Sequence, residues 1–368
     1  MVVNMRGLYI HIPFCNSLCY FCDFPKRINQ KEEYKRKYIN KLKEEIKEAV
    51  DKYHFDTIYI GGGTPNSLSL ELLEELFKSL EKIDYSQILE YTIETNYELI
   101  TKEQALLFKK YHISRVSIGV QTLNKKNASY INRYSNYEVL KEKIEILKDA
   151  GINNINLDFI FGLPYQTLED VENDLKYIKE LNVNHISYYS LILEDKTVMN
   201  NKLNNNEITL PEDDLTSQMY QLIINEMKKI GYHHYEISNF ALNGYESKHN
   251  LLYWNLDEYL GLGMSASSLI DGYRITNSRL IDKYLENSDI IKEQVDINIS
   301  KGEFFWLGLR KMDGVNIKEY QNKFNSNPFD DFNIKELIDK NLLECNNDYL
   351  KLTPFGLEHG NYVFAYFI

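Results

Sequence analysis

The chain is poor in cysteine and in positive charge. It holds four cysteines in 368 residues, and Cys345 lies far from Cys15, Cys19 and Cys22. This spacing excludes a disulfide framework, so a reducing, cytoplasmic setting is expected. The 42 Lys and Arg residues face 54 Asp and Glu residues, giving a net charge of −12. We therefore expect no nucleic-acid partner bound through a basic surface.

Long apolar runs are also missing. No run reaches the roughly 18 residues of a membrane-spanning helix, so no membrane span is expected. A strand-like stretch begins at Gly7, so no signal peptide is visible. Lys and Glu are concentrated between Gln30 and Lys52, which is typical of a solvated helix face with i,i+4 ion pairs. With 43% hydrophobic residues, the chain has enough apolar material for one large domain with an appendage, or for two domains.

The three early cysteines have the spacing C-x3-C-x2-C. Thiolates are the usual ligands of iron–sulfur clusters, and three of them would hold three irons of a [4Fe–4S] cube. The fourth iron would then stay open to a substrate or cofactor. The alternatives are three free or buried thiols and an incomplete zinc site. No second C-x2-C pair is present to complete a zinc ribbon.

Short apolar runs alternate with amphipathic segments over the first 230 residues. The predicted strands are 7–12, 56–60, 89–95, 113–120, 153–160 and 185–193, with a further β-like run at 233–240. The predicted helices are 31–52, 68–82, 101–110, 136–150, 167–181 and 211–230. This alternation predicts βαβ units and an α/β fold with an incomplete TIM-like (β/α)6 barrel. A full (β/α)8 barrel would need two more units.

The rhythm changes after residue 240, which predicts three parts: 1–240, an extension 241–300, and a small domain 301–368. A hairpin turn is expected at Asp271-Gly272. Helices are predicted at 301–312, 316–324 and 333–340. A hairpin around 346–348 and a last helix from Pro354 follow. This order is winged-helix-like, and the alternative is a small packing domain without a nucleic-acid partner.

Polar residues close several of the predicted barrel strands. Gly61-Gly-Gly-Thr-Pro65 follows the second strand, where backbone groups can approach a ligand closely, although such a run is often only a turn. Glu94, Gln121 and Asp158 lie in the next three strands. Barrel enzymes place their sites at the carboxyl ends of strands, so these side chains are expected to line one site with Gly62 and Gly63.

Seven strings of the sequence carry a family resemblance. They are His11-Ile-Pro-Phe-Cys15, Gly61-Gly-Gly-Thr-Pro65, Arg115-Val-Ser-Ile-Gly-Val-Gln121, Asp158-Phe-Ile-Phe-Gly-Leu-Pro164, Tyr235-Glu-Ile-Ser-Asn239, His249-Asn-Leu-Leu-Tyr-Trp254 and Leu307-Gly-Leu-Arg310. Together with the cysteine spacing, they resemble the radical S-adenosylmethionine superfamily, in its coproporphyrinogen dehydrogenase-like branch. The resemblance covers nearly the whole chain and extends to the group of heme chaperones in that branch.

The resemblance implies a radical S-adenosylmethionine barrel in which the open iron chelates S-adenosylmethionine. It places Tyr9 and Phe21 near the cofactor, and Gly62, Gly63 and Thr64 at its methionyl end. Glu94, Gln121 and Asp158 would hydrogen-bond its polar groups. Arg133 would face its carboxylate, since a guanidinium suits bidentate pairing, and the alternative is a surface arginine.

The resemblance also implies heme as cargo. His249 is the candidate axial ligand, with Tyr253 and Trp254 packing on the macrocycle. The alternative is a structural histidine in an aromatic core. The oxidases of this branch resemble C-x3-C-x2-C-x-C, and Phe24 stands here at the position of the fourth cysteine. Only fourteen residues precede Cys15, whereas an oxidase is expected to carry an extra N-terminal segment.

The expected function is therefore a heme chaperone that binds heme, a [4Fe–4S] cluster and S-adenosylmethionine. Its expected partners are heme-accepting apo-proteins and an electron donor, and any contact with membrane heme proteins would be peripheral. One rival is oxygen-independent coproporphyrinogen III oxidase. The other is a cluster protein that binds partners without cleaving the cofactor.

Overall fold

The computed structural model describes residues 5–368 of the chain. The strands in this range are β1 (Arg6–Ile12), β2 (Phe14–Cys15), β3 (Arg27–Ile28), β4 (Thr57–Gly62), β5 (Glu90–Asn96), β6 (Arg115–Gln121), β7 (Asn154–Phe161), β8 (His185–Ser190), β9 (His233–Glu236), β10 (Asn239–Ala241), β11 (Glu258–Leu262), β12 (Ser267–Ile270), β13 (Tyr273–Thr276), β14 (Ile291–Gln294), β15 (Val315–Asn316), β16 (Leu343–Asn346) and β17 (Tyr349–Leu352). Most of them belong to one large sheet.

The α-helices alternate with the strands of the first half and dominate the last quarter. They are α1 (Glu32–Lys52), α2 (Leu70–Ser79), α3 (Lys102–Lys110), α4 (Lys125–Tyr130), α5 (Tyr137–Asp149), α6 (Leu168–Leu181), α7 (Val198–Asn204), α8 (Asp213–Lys229), α9 (Lys248–Trp254), α10 (Ile281–Leu285), α11 (Ile297–Gly308), α12 (Ile317–Phe324), α13 (Pro328–Asp331), α14 (Ile334–Asp339), α15 (Pro354–Glu358) and α16 (Gly360–Ala365). Within the described range, no helix is both long and apolar enough to cross a membrane.

The main sheet has twelve strands in the order β14-β13-β12-β11-β1-β4-β5-β6-β7-β8-β10-β9. Strands β1 and β4 to β8 are the six predicted ones, and each pairs in parallel with its neighbours in that series. The α/β class and the incomplete barrel are therefore confirmed. The other strands of the sheet extend it on both sides, beyond the six βα units.

Two details differ from the sequence prediction. The run 233–240 was expected as one strand, but it forms the antiparallel pair β9 and β10, with an irregular register beside Asn239. Strand β11 was not predicted, and it pairs in parallel with β1 from Arg6↔Glu258 to Ile10↔Leu262. Five residues that include Gly261 carry too weak a pattern to indicate a strand, whereas the ladder with β1 fixes it.

The barrel strands turn apolar side chains outward to the helices. In β1, Leu8, Ile10 and Ile12 are fully buried, and Ile58 and Ile60 of β4 continue the same layer. Helix α1 covers this layer with an apolar stripe that includes Leu42 and Ile46, while its Lys and Glu residues are exposed or partly exposed. Because side chains alternate along a strand, the opposite face of the sheet carries the polar residues.

The last quarter of the chain has its own apolar core. Phe305 stacks on Phe367 at 4.7 Å, and Tyr320 packs against Phe305 at 5.2 Å. The hairpin β16–β17 pairs with β15 to form a small three-stranded sheet beside helices α11 to α16. The predicted helices and hairpin are all present in this segment.

Candidate cluster and cofactor site

The three cysteines of the C-x3-C-x2-C motif lie just after β1, at the carboxyl end of the parallel strands. Each of Cys15, Cys19 and Cys22 is partly buried and free of any disulfide. The backbone N–H of Asn29 bonds the Cys15 carbonyl at 3.1 Å. The N–H of Tyr20 bonds the carbonyl of Ile131 in the same way. These bonds fix the cysteine loop against the chain that follows α4.

The thiols face each other and two polar side chains. The hydroxyl of Thr64 donates to Sγ of Cys15 at 3.5 Å, and Nη1 of Arg133 lies 3.8 Å from Sγ of Cys19. Burial raises the pKa of both thiols, while Thr64 and Arg133 act in the opposite direction. Cys19 and Cys22 are near enough to Cys15 to raise its pKa further. Three thiols therefore share one partly desolvated space.

This space suits a multi-iron group better than a single ion. In residues 5–368, no three His, Cys, Asp or Glu side chains converge closely enough to hold one metal ion. The thiolates of an iron–sulfur cube bind separate irons, so they need not meet at a point. A Cβ on Gly63 would lie 3.0 Å from Sγ of Cys15 and 2.9 Å from the carbonyl of Phe14. The residues present therefore fit a [4Fe–4S] cluster.

The glycine run brings the end of β4 close to β1. Gly62 has φ of +114°, and a Cβ there would lie 2.5 Å from the ring of His11. Only glycine adopts this conformation in that space without strain. The N–H of Gly62 donates to Oε2 of Glu94 at 2.9 Å. The backbone of the run is thereby joined to the carboxylate on the next strand.

Glu94 lies inside the barrel, with Tyr59 beside it. The Tyr59 hydroxyl donates to Oε1 of Glu94 at 2.8 Å. Burial raises the pKa of Glu94 to about 7, and Asp158 adds to the increase, while the bonds from Tyr59 and Gly62 oppose it. A small change in its surroundings therefore changes its charge at neutral pH.

Gln121 and Arg133 carry polar atoms that lack partners. Gln121 has φ of +66° at an irregularity in the β6–β7 ladder, and its buried Oε1 has no hydrogen-bond partner within the described chain. Arg133 donates to Oδ1 of Asn96 at 3.0 Å and to the Gly119 carbonyl at 2.8 Å. Its buried Nε has no partner in residues 5–368. Unpaired buried groups of this kind need an explanation, and a polar ligand provides one.

Asp158 accepts two hydrogen bonds, one from the neighbouring strand β6 and one from its own strand β7. The hydroxyl of Ser117 donates to one carboxylate oxygen at 2.8 Å, and Nδ2 of Asn156 donates to the other at 2.8 Å. Asp158 pairs in register with Gly119 of β6. The side chain therefore lies one strand away from Gln121 of β6.

Tyr9 and Phe21 flank the same space. The Tyr9 hydroxyl lies 2.9 Å from Nδ1 of His11, and its ring is 6.1 Å from that of Tyr59. Phe21 packs against a small buried cluster that includes Ile131 and Leu163. Tyr9 thus belongs to the barrel interior and Phe21 to the loops above it.

His249 lies at the other end of the barrel, on helix α9. It is buried, with Nδ1 2.7 Å from the Thr57 hydroxyl and Nε2 2.9 Å from the Tyr253 hydroxyl. Burial lowers its pKa to about 3, with Arg115 acting in the same direction. Both ring nitrogens are engaged, so coordination of iron would require one of these bonds to break.

A cavity of about 690 Å³ lies next to this helix, between the barrel and the C-terminal helices. Its walls include Trp254 of α9, Tyr235 and His233 of the β9 strand, Phe304 and Lys311. The side chain of Arg310 lies over the Trp254 ring at 4.8 Å. The charged part of the lining is mixed, with Lys311 and Lys323 beside Glu246, Asp257, Asp313 and Glu319. The aromatic wall can hold a flat ligand.

Several buried polar residues of the barrel interior were not identified from the sequence as candidates for the site. Arg115 is 2% exposed and its Nε has no partner within residues 5–368. Glu90 accepts the N–H groups of Lys248 and His249 at 3.0 and 3.2 Å. His185 is fully buried. Polar residues at every second position of β5 and β6, such as Glu90, Thr92 and Glu94, were the available signal.

Two family models match separate parts of the chain. Residues 9–178 match the radical SAM superfamily, and residues 302–359 match the HemN C-terminal domain. The chain is 37% identical over 380 residues to the heme chaperone HemW of Lactococcus lactis, covering 100% of this chain and 98% of that protein. It is 35% identical to HemW of Bacillus subtilis, covering 99% of each.

The fold also matches a solved structure. The radical SAM enzyme coproporphyrinogen III oxidase (HemN) of Escherichia coli superposes with a TM-score of 0.85. The match covers 99% of this chain and 90% of that one, at 21% sequence identity. It establishes a shared architecture.

Proposed function

This chain belongs to the HemW family of radical SAM proteins, and we propose that it binds heme and delivers it to heme-accepting proteins. The observation that carries the proposal is the match along the whole chain to proteins named heme chaperones. The match includes the cysteine loop, the barrel, helix α9 and the C-terminal helices. A relative of the barrel alone would not support the same cargo.

The radical SAM family implies a [4Fe–4S] cluster and S-adenosylmethionine. We assign the cluster to Cys15, Cys19 and Cys22, which are all partly buried and free of disulfides, with the Cys15 thiol beside Gly63. When bound, the cluster supplies an electron that can cleave the sulfonium of S-adenosylmethionine. The protein's part is to hold the cofactor and exclude water.

Different residues around the cluster are proposed to contact different parts of S-adenosylmethionine. Gly62, Gly63 and Thr64 offer backbone groups and a hydroxyl beside Cys15, where the methionyl end would lie. Arg133 and Gln121 offer the unpaired buried atoms Nε and Oε1. A guanidinium suits a carboxylate, and an amide oxygen accepts from an N–H or O–H group.

Glu94 and Asp158 complete the polar side of this site. Both carboxyl groups lie on the inner face of the barrel and are already held by two donors each. Their remaining lone pairs can accept from hydroxyl or amino groups of the cofactor. Tyr9 and Phe21 supply aromatic surface on either side.

We assign heme to the lower end of the barrel, against helix α9. Trp254 and the cavity of about 690 Å³ beside it support this assignment, since they combine an aromatic wall with a volume typical of ligand sites. His249 is the proposed axial ligand, once its bond to Tyr253 or Thr57 opens. His233 lines the cavity and is exposed, so it is the second imidazole to test.

The second candidate function is that of an oxygen-independent coproporphyrinogen III oxidase. The close architectural match to HemN favours it. Against it, position 24 holds an exposed phenylalanine, whereas the oxidase pattern has a fourth cysteine at this position. Product analysis with coproporphyrinogen III separates the two functions. Decarboxylated product would establish the oxidase, and none is expected from a carrier.

One experiment tests the proposal as a whole. The protein is reconstituted anaerobically with iron and sulfide, titrated with heme, and assayed for 5′-deoxyadenosine on the same sample. A saturable Soret band of stoichiometry near one supports the chaperone. No heme binding in a sample with a full cluster would reject it.

A further inference from the structure

A continuous chain of hydrogen bonds runs through the barrel interior from helix α9 to Asp158. At its lower end, the N–H of Ser247 donates to the hydroxyl of Tyr235 at 3.1 Å. Ser247 is the N-cap of α9, and Tyr235 also lines the cavity beneath the barrel. The chain therefore begins at the proposed heme end.

The middle of the chain is His185, which contacts two different strands. Its Nε2 lies 2.8 Å from the Tyr235 hydroxyl, and its Nδ1 lies 2.6 Å from Oδ1 of Asn156. All three side chains lie on the inner face of the sheet, and Asn156 pairs in register with His185. The ring is fully buried, so neither bond competes with solvent.

The donor and acceptor of each hydrogen bond in this chain can be assigned by starting from Asp158. The carboxylate of Asp158 can only accept, so the Asn156 amide must turn its NH₂ group to it. The amide oxygen then faces His185, whose Nδ1 must carry the proton. Nε2 is left as an acceptor for the Tyr235 hydroxyl. Burial lowers the pKa of His185 well below its usual value, which agrees with a neutral ring.

We propose that His185 and Tyr235 are positioning residues that hold Asp158 in its cofactor-binding orientation and join it to the N-terminus of helix α9. The inference rests on the proposed role of Asp158 toward S-adenosylmethionine. The Asn156 amide cannot turn without losing its bonds to His185 and Asp158. Two serines hold it in the same orientation, since Ser187 donates to its Oδ1 at 3.2 Å and Ser117 accepts from its Nδ2 at 2.8 Å. The carboxylate is fixed because the chain leaves it no alternative partner on that side.

The test compares variants at both ends and in the middle of the chain. Tyr235→Phe removes only the hydroxyl, and His185→Leu removes both ring nitrogens. His185→Gln supplies an amide N–H and an amide oxygen that can replace them. Asp158→Ala removes the group being positioned. All are reconstituted with the cluster anaerobically, and the dissociation constant of S-adenosylmethionine is measured by calorimetry.

Tyr188 provides a matched control, because it lies on strand β8 with His185 but outside the chain of hydrogen bonds. Tyr188 is buried on the opposite face of β8, and its hydroxyl has no hydrogen-bond partner in the part of the chain that the structure describes. Tyr188→Phe therefore removes a buried hydroxyl without changing any residue of the hydrogen-bond chain. Iron content and unfolding temperature of every variant are measured beside the binding constant.

Tyr235→Phe and His185→Leu should weaken cofactor binding by about three- to tenfold, the usual effect of one lost hydrogen bond. His185→Gln should restore most of the affinity, and Tyr188→Phe should stay within about twofold of wild type on the same scale. Iron content should not change in any of them. A purely structural role would lower the unfolding temperature without this selective loss and without rescue by Gln.

Two results would overturn the inference, and they differ. If Asp158→Ala binds weakly while Tyr235→Phe and His185→Leu bind like wild type, the positioning role is rejected and the cofactor site stands. If Asp158→Ala itself binds like wild type, the assignment of Asp158 to the cofactor fails and the inference fails with it. Should His185→Leu not fold, Tyr235→Phe still decides between these results.

Discussion

The guanidinium of Arg133 lies 3.8 Å from Sγ of Cys19, although 114 residues separate them in the sequence. Arg133 is held there by Asn96 and by the Gly119 carbonyl, so its position does not depend on the thiol. A fixed cation beside a thiolate favours the deprotonated form, which is the form that binds iron. The same side chain keeps its Nε free for a second partner. Cluster and cofactor are thus expected to share this arginine.

The first prediction concerns the cluster ligands. Replacing Cys15, Cys19 or Cys22 with Ala should abolish the visible absorption of the reconstituted cluster, because each thiolate binds a different iron. Cys345→Ala is the matched control, since Cys345 is exposed on the C-terminal hairpin and should leave the spectrum unchanged. A Cys19→Ala protein that retains four irons and the full spectrum would refute the assignment.

The second prediction concerns the space beside the cluster. Gly63→Ala places a methyl group 3.0 Å from Sγ of Cys15 and against two backbone carbonyls that cannot move easily. Iron incorporation should fall severalfold although every cysteine remains. In Gly119→Ala the nearest atom is the flexible amide of Gln121, so iron incorporation should be normal. Equal iron content in the two variants would contradict this account of the loop.

The third prediction concerns pH. Burial raises the pKa of Glu94 to about 7, so the free protein carries a neutral carboxyl below pH 7 and a carboxylate above it. If the carboxylate accepts from the cofactor, binding below pH 7 must first release a proton, and affinity falls by up to tenfold per pH unit. Binding should therefore be weaker at pH 6 than at pH 8.

Glu94→Gln provides the control for this pH effect, because an amide does not titrate. Its dissociation constant for S-adenosylmethionine should change less between pH 6 and 8 than that of the wild type. Calorimetry on cluster-loaded samples at both pH values measures the two ratios. Equal ratios would exclude Glu94 as the titrating acceptor.

The fourth prediction concerns the axial ligand of heme. His249→Ala should alter the Soret band and weaken heme binding, because the imidazole would be lost from iron. His233→Ala is the comparison, since His233 lines the neighbouring cavity but is not the proposed ligand. If only His233→Ala changes the spectrum, the ligand is His233. If neither changes it, heme does not bind at this end of the barrel.

The sequence indicates the barrel because its strands are apolar and its helices amphipathic. Strands β1 and β4 to β8 follow from that alternation. Strand β11 does not, because Glu258–Leu262 becomes a strand only through its ladder with β1, more than 250 residues away in the chain. Long-range pairing of this kind has no local signal.

The sequence likewise predicts only part of the candidate site. Cysteine spacing and the polar ends of successive strands mark the upper end of the barrel without any coordinates. The chain from Tyr235 to Asp158 could not be predicted, since His185 and Asn156 meet only in the register of β7 and β8. Each of these residues alone is an ordinary polar position in a strand.

The position of His249 also depends on tertiary packing. The sequence places it in an aromatic segment, which suits either a heme ligand or a core histidine. Its bonds to Thr57 and Tyr253 arise because α9 packs beneath β1 and β4. A free-standing helix would have left the ring open to iron.

Heme transfer tests the central claim most directly. The cluster-reconstituted protein is loaded with one equivalent of heme, separated from free heme, and mixed anaerobically with an apo-form of a heme protein. The account predicts that the Soret band of the loaded chain decays as that of the acceptor appears, and that coproporphyrinogen III added to the same sample is not decarboxylated. Formation of protoporphyrinogen, with no heme passing to the acceptor, would contradict it.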